Sequence, residues 1–287
     1  MTNERPAPAE TNPPRGGAAR GRVLIIAGSD SGGGAGIQAD IKTVTALGGY
    51  AMTAITALTA QNTLGVFGIL DISPDFVARQ IRAVLDDIGA DCIKLGMLHR
   101  PEIIETVAAT LAEAAPDVPV VVDPVMVAKG GQSLLANAAV ASLRRLLLPV
   151  AAVLTPNLPE AAALLDEIDA TEQPPEELAA RLLALGPAAV LLKGGHGEGP
   201  VLVDVLAERD QPAERYESRR IASRHTHGTG CTLASALACG LAQGLPLRTA
   251  VIRARAYVRA AIEAAPGFGG GHGPLAHGHT VRPFPGG

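Results

Sequence analysis

The chain reads as one α/β domain: a mostly parallel sheet with helices on both faces. Three observations predict this. Short continuous apolar runs such as Arg22–Ala27 and Val120-Val121-Val122 have the character of strands buried on both faces. These runs alternate with helical patterns, which makes βαβ units and a parallel sheet. Neither a linker nor an internal repeat divides residues 21–265. A single domain is therefore expected over residues 21–287. The Pro-, Ala- and Gly-rich residues 1–20 are expected to form a disordered tail.

In chain order, the apolar strand Arg22–Ala27 runs into a Gly-Ser loop, and a helical pattern follows from about Ala35 to Leu47. Tyr50–Ala60 and Val66–Leu70 read as strands. Pro74–Ile88 reads as a helix, with Ser73 as N-cap and proline at the first helical position. Strand Cys92–Leu95, helix Pro101–Ala115 and strand Val118–Val122 come next, then a Gly-bearing loop at Lys129–Gln132. Strand Ala151–Leu154 leads into helix Pro159–Leu165, and helix Glu176–Leu185 precedes strand Ala189–Leu192. Val201–Leu206 and Tyr216–Ile221 pair as a hairpin. Helices Gly230–Gln243 and Leu247–Ala264 close the fold. In such sheets ligands gather at the carboxyl ends of the strands.

Composition narrows the function. A hydrophobic fraction of 47% supports a substantial core, while a net charge of −4 and 2% aromatics argue against a nucleic-acid binder. Cys92, Cys231 and Cys239 show no CxxC spacing, so neither zinc nor a disulfide framework is expected. Residues 1–20 lack the apolar core of a signal peptide, and no run is long enough to span a membrane. A cytoplasmic protein is expected. Of 24 basic residues only four are lysines: Lys42, Lys94, Lys129 and Lys193. A lysine kept among so many arginines can mark a place for a compact ammonium; for Lys42 and Lys94 chance is an equally good reason.

The most informative stretch is His225-Thr226-His227-Gly228-Thr229-Gly230-Cys231, where a Gly-bearing segment enters an apolar helix. Backbone N–H groups at such a helix start form an anion site, most often for phosphate. Cys231 falls on the first turn, where the same field favours a thiolate. After the first strand, Gly28–Asp40 contains a G-x-G-x-x-A match at Gly34, Gly36 and Ala39. A dinucleotide fold would need an acidic residue about 20 positions on, and none lies between Asp40 and Asp71. Walker A is absent too. What remains is a loop that brings backbone and the Asp40 carboxylate close to a small ligand, or else leaves Asp40 solvated on the first turn of a helix. Gln61, at the end of a long strand, carries a donor and an acceptor suited to the edge of an aminated heterocycle. Asp123 and Glu160 follow neighbouring strands and suit Mg²⁺; a first-turn acid favoured by the helix dipole is the other account of Glu160. Lys193, at a further strand end, can meet a transferring phosphate. Together these point to phosphoryl transfer on a scaffold without a P-loop.

The ordered segments AGSDSGGGAGIQADIKT, TALTAQNT, IKLGML, VVDPVMVAKGG, LTPNLPEAAAL, LLKGGH and HGTGCTLASALA closely resemble the ribokinase-like superfamily. Within it they resemble the hydroxymethylpyrimidine/phosphomethylpyrimidine kinases of thiamine biosynthesis, over about residues 22–265, with GHGPLAH (Gly271–His277) matching the family's C-terminal segment. The resemblance implies a three-layer ribokinase-like sandwich, ATP and Mg²⁺, and two successive phosphorylations of 4-amino-5-hydroxymethyl-2-methylpyrimidine. It implies that Asp40, Gln61, Met97 and Gly28 hold the pyrimidine and that Gly228, Thr229 and Gly230 form the anion hole. Asn157 and Glu160 would carry the metal-linked motif, with Asp123 in the metal neighbourhood, and Lys193 would serve the nucleotide side. Lys129 would belong to a flap over the ATP site, near Thr226. A homodimer is expected, as in its kin.

Sugar-kinase relatives mostly carry Asp at the position of Cys231. A thiol that loses its proton for the first step and stays neutral for the second would avoid repelling a phosphorylated acceptor. The nearest competing expectation is a pyridoxal or pyridoxine kinase; a more distant one is a non-catalytic pyrimidine-binding regulator. His272, His277 and His279 are expected to cap a loop rather than close the site.

Overall fold

The computed structural model describes residues 21–126, 137–168, 173–195 and 199–282. Nine strands form one sheet in the order β3-β2-β1-β4-β5-β6-β7-β8-β9. Strands β1 (Arg22–Asp30), β2 (Tyr50–Asn62), β4 (Cys92–Leu95), β5 (Val120–Val122), β6 (Val153–Leu154) and β7 (Ala189–Leu192) run parallel. The antiparallel strand β3 (Gly65–Asp71) sits at one edge, and the hairpin β8 (Val201–Glu208) and β9 (Glu214–Arg219) at the other.

Period-2 alternation explains the layering. In β1, Leu24 and Ile26 enter one apolar cluster while Val23, Ile25 and Ala27 enter the other, so the strand has no polar face. One side is covered by α1 (Gly36–Ala46), α7 (Thr229–Ala242) and α8 (Leu247–Glu263). The other is covered by α2 (Pro74–Asp87), α3 (Pro101–Ala114), α4 (Asn137–Ser142), α5 (Leu158–Leu165) and α6 (Pro175–Leu183). This is the three-layer ribokinase-like sandwich the sequence predicts. No helix among the described residues is long and apolar enough to cross a membrane.

The differences are local. Strands expected from Val118 and Ala151 start two residues later, at Val120 and Val153. Residues 137–150, which carry no sequence-level assignment, form α4, a π-helical turn at Leu143–Leu147 and a 3₁₀ turn at Leu148–Val150. Ser73 is the N-cap of α2 but makes no capping hydrogen bond with its side chain. Residues 1–20, the loop at Lys129–Gln132 and His196 lie outside the described residues.

The chain steps from β1 to β2 in one direction and later to β4 in the other. A crevice at the strand carboxyl ends opens where the order reverses. Most of the candidate site residues gather there.

Candidate active site

A cleft of about 1220 Å³ runs along the carboxyl ends of the parallel strands. Its wall takes Gly28 and Asp30 from β1, Gln61 from β2, Met97 after β4, Asp123 after β5, and Lys193 after β7. At the opposite wall is the N-terminus of α7, with Thr226, Gly228, Thr229, Gly230 and Cys231.

The α7 start is built on glycine. Gly228 is the N-cap at φ +84°, and a Cβ there would lie 1.8 Å from the Gly34 carbonyl oxygen. The two Gly-bearing loops therefore touch backbone to backbone, which only glycine allows. Thr229 donates its hydroxyl to the Thr226 carbonyl at 2.8 Å, which closes the turn. The Thr229 N–H also reaches the Thr226 carbonyl at 3.3 Å, and the start of a helix with a Gly-bearing turn is a place where backbone donors can meet an anion.

Facing Gly230 is a charged trio. Lys193 Nζ donates to Asp123 Oδ1 at 2.9 Å and lies 3.8 Å from Glu160 Oε2. Asp123 is also held by the Thr155 hydroxyl at 3.2 Å. Glu160 closes a capping box with Asn157: its carboxylate accepts the Asn157 N–H at 2.8 Å, and Asn157 Oδ1 accepts the Glu160 N–H at 2.9 Å. Glu160 is the first-turn acid of its helix and also lines the cleft, where a metal could reach it. Burial pushes its carboxyl up to about 7, with Asp123 adding and Lys193 opposing. Burial works against the Lys193 ammonium, but Asp123 and Glu160 more than offset it and raise its pKa to about 12. Two carboxylates already bracketing an ammonium fit a small cation. Among the described residues, no group of three or more His, Cys, Asp or Glu side chains is gathered as a metal site. A divalent ion here would therefore take its other ligands from water and phosphate, as Mg²⁺ does.

Met97 and Gln61, the residues expected to meet the heterocycle, both line the cleft. A Cβ on Gly28 would come within 2.5 Å of the Met97 terminal methyl, so glycine here gives Met97 its place. Asp40 sits elsewhere. It is the fifth residue of α1, faces the sheet, and is absent from the cleft wall. It is 0% exposed, accepting from Lys94 Nζ at 2.9 Å and from the Ser235 hydroxyl at 2.6 Å. This corrects the solvated alternative, and both Asp40 oxygens are engaged by protein. It also corrects the view of Lys94 as a chance survivor, since its ammonium is fully buried yet borders the cleft floor. Lys42 reaches back to the Gly33 carbonyl at 2.8 Å and braces the loop.

The thiolate expectation for Cys231 is reversed. Burial raises the thiol to about 12, with Asp40 and Asp123 adding. Lys94 and the Gly36 N–H pull the other way and do not prevail. A helix N-terminus alone cannot offset desolvation flanked by two carboxylates.

Two cleft residues escaped the sequence reading. Asp30 collects the N–H groups of Gly32 (2.8 Å), Gly34 (3.1 Å) and Ala35 (2.8 Å), so its carboxylate organises the whole Gly-rich loop. His227 Nε2 lies 2.9 Å from the same carboxylate. Burial would raise the Asp30 pKa, but His227 and the backbone donors outweigh it and hold the group below the usual carboxylate range. An acid two residues ahead of three glycines was the available signal. Of the C-terminal histidines, His272 and His279 hold loop carbonyls, whereas His277 packs against helix α7. His279 bonds the Ala276 carbonyl (3.0 Å), His272 that of Arg224 (3.3 Å), and buried His277 meets the Thr232 hydroxyl (3.1 Å); none of the three is on the cleft wall.

The model of the family described as phosphomethylpyrimidine kinase matches residues 30–276. The chain belongs to that family. A hydroxymethylpyrimidine/phosphomethylpyrimidine kinase from Streptomyces coelicolor is 51% identical over 90% of this chain and 95% of that protein. The thiamine biosynthesis bifunctional protein ThiED of Geobacter sulfurreducens is 53% identical over 90% of this chain, which spans about half (52%) of that longer protein. Among solved structures, Bacillus subtilis pyridoxal kinase in complex with ADP superposes with a TM-score of 0.83 at 38% identity, covering 90% of this chain and 97% of that one. Phosphomethylpyrimidine kinases and pyridoxal kinases thus share this architecture, and the contents of the cleft must separate them.

Proposed function

We propose that this member of the phosphomethylpyrimidine kinase family uses ATP to phosphorylate 4-amino-5-hydroxymethyl-2-methylpyrimidine, and then its monophosphate, in thiamine biosynthesis. The observation that carries the reading is that one cleft is lined by Gly28, Gln61 and Met97, by the Gly-bearing start of α7, and by Lys193, Asp123 and Glu160; we assign the first three to the heterocycle and the helix start to phosphate. The transferred phosphoryl group belongs between the Gly228-Thr229-Gly230 N–H groups and Lys193, where charge developing in flight meets prearranged donors. Asp123 and Glu160 would hold Mg²⁺, which when bound neutralises phosphate charge. Asn157 fixes Glu160 through the capping box, and Thr226 shapes the turn before the anion hole. We assign Lys129 to the nucleotide side from the sequence motif alone.

Cys231 enters the reaction as a neutral thiol. Since the phosphoryl-transfer transition state is loose, the attacking hydroxyl needs orientation more than a strong base. Neutrality also spares the second step an anion beside a phosphorylated acceptor. The proposal extends to a cytoplasmic homodimer with small-molecule partners and no nucleic-acid or membrane partner.

The test is a coupled ATP-consumption assay with Mg²⁺, offering the pyrimidine alcohol, its monophosphate and pyridoxal side by side. Turnover of both pyrimidines with little from pyridoxal is expected. Turnover of pyridoxal alone would move the protein to the other kinase class, and silence on all three would favour a binding protein.

A further inference from the structure

Gln61 is the polar reader of the heterocycle subsite, and its amide has neighbours that dictate which way round it lies. Its nitrogen is recorded 3.2 Å from His227 Nε2 and its oxygen 3.1 Å from Thr59 Oγ1. The amide N–H against His227 is not complementary, and the Thr59 hydroxyl can donate to the amide oxygen only by giving up its shorter contact with the Ser29 carbonyl. His227 Nε2 lies 2.9 Å from Asp30 Oδ2, a carboxylate oxygen that also accepts two backbone N–H groups, so Nε2 must carry a proton. An amide N–H against it sets donor against donor. The Thr59 hydroxyl has one proton and directs it at the Ser29 carbonyl, 2.9 Å away, so toward Gln61 it is free to accept. Turning the amide by 180° lets its NH₂ donate to Thr59 Oγ1 and replaces a donor facing His227 with an oxygen that can share the Nε2–H already directed at Asp30, and amide N and O are distinguished only by such partners.

We propose that His227 is a positioning residue that locks the Gln61 amide with its C=O toward the imidazole and its NH₂ toward Thr59, and so makes the subsite discriminate an amino from an oxo group on the heterocycle. A 4-aminopyrimidine edge presents a donor beside a ring-nitrogen acceptor, and its 4-oxo analogue, protonated at the ring nitrogen, presents the reverse order. A freely turning amide accommodates both edges, whereas a locked one accommodates a single order. His227 belongs to the loop before α7 and Asp30 to the end of β1. The lock therefore also ties the anion-hole loop to the heterocycle reader. The inference rests on the proposed pyrimidine substrate.

The experiment compares kcat/KM for the aminopyrimidine alcohol and its 4-oxo analogue in wild type, His227→Leu, His227→Gln, Gln61→Ala and the Gln61→Ala/His227→Leu pair. Thermal unfolding checks that each is folded. His227→Leu should lower the amino-to-oxo ratio about tenfold or more, the scale of one well-aimed polar pair. His227→Gln, which keeps a donor at similar reach, should retain most of the ratio. In the Gln61→Ala background His227→Leu should leave the ratio unchanged. An unchanged ratio in His227→Leu, or an equal fall without Gln61, would overturn the proposal. Imidazole ¹⁵N shifts of the wild-type protein give a second readout that needs no variant. A protonated Nε2 at neutral pH is expected, and a bare Nε2 would overturn it. A wild type that turns over neither pyrimidine would instead refute the substrate assignment.

Discussion

Replacing Lys94 by Met should be among the most damaging single substitutions in the chain, though it conserves length and adds apolarity. Lys94 and Asp40 are both 0% exposed, and their ion pair is 2.9 Å long. At an effective dielectric near 20, two unit charges at that distance attract by about 6 kcal/mol. Burial opposes both charges and raises the Asp40 carboxyl, yet Asp40 keeps the Lys94 pKa above the ordinary lysine value, and the 2.9 Å contact together with the Ser235 hydroxyl favours the ion pair. Removing the ammonium leaves a carboxylate with only the Ser235 hydroxyl for compensation. The expected cost is about 3–5 kcal/mol, or a Tm lower by roughly 6–20 °C at this chain size. Urea unfolding and calorimetry measure it directly. The double variant Lys94→Met/Asp40→Leu removes both charges and should regain much of the loss, short of a residual ~1–3 kcal/mol for the orphaned Ser235 hydroxyl. A single-variant cost below about 1 kcal/mol, or a double variant worse than either single one, would refute the view of the pair as one buried charged unit.

Other expectations follow from the cleft. Gly28→Ala should displace the Met97 methyl, 2.5 Å from the added carbon, and raise KM for the pyrimidine about tenfold with Tm nearly unchanged; an unchanged KM would show that Met97 does not pack on substrate. Gly228→Ala faces both φ +84° and a backbone oxygen at 1.8 Å, so it should cost activity on the order of 10²-fold by separating the two Gly-bearing loops, as steady-state kinetics would show. The Glu160 carboxyl rises from 4.5 to about 7 on folding, so its contribution to stability is present below pH 4.5 and lost as pH climbs through 7. That loss is on the order of 3 kcal/mol, and Glu160→Gln should flatten this part of the stability–pH curve. With its thiol pushed up to about 12, the half-buried Cys231 should alkylate slowly with iodoacetamide at pH 7.5 and faster only as pH rises; rapid labelling at neutral pH, followed by mass spectrometry, would contradict the raised thiol pKa.

Much of this was legible in the sequence because the signals were local. Continuous apolar runs marked β1 and β5, and a Pro at the first helical position marked α2. Gly-Thr-Gly marked the start of α7. Residues 137–150 were illegible for a local reason too: the Leu-rich run has no single period and changes from α to π to 3₁₀ within 14 residues. The site residues that were missed or misplaced depend on partners far along the chain. Lys94 looks like any strand-end lysine until α1 supplies Asp40 and α7 supplies Ser235. The thiol of Cys231 reads as activated when only its helix is considered, and desolvation and the Asp40 and Asp123 carboxylates reverse that. The partner of His227 Nε2 is Asp30, which lies 197 positions earlier.

That separation also has a meaning in time. Ribosomes extend a chain at roughly 5–20 residues per second, so about 10–40 seconds pass between the emergence of the β1 loop and that of α7. Throughout that interval Asp30 has no imidazole, Asp40 has no Ser235 hydroxyl, and the underside of the sheet that α7 covers lies bare. The cleft is complete only when the last quarter of the chain docks against the first.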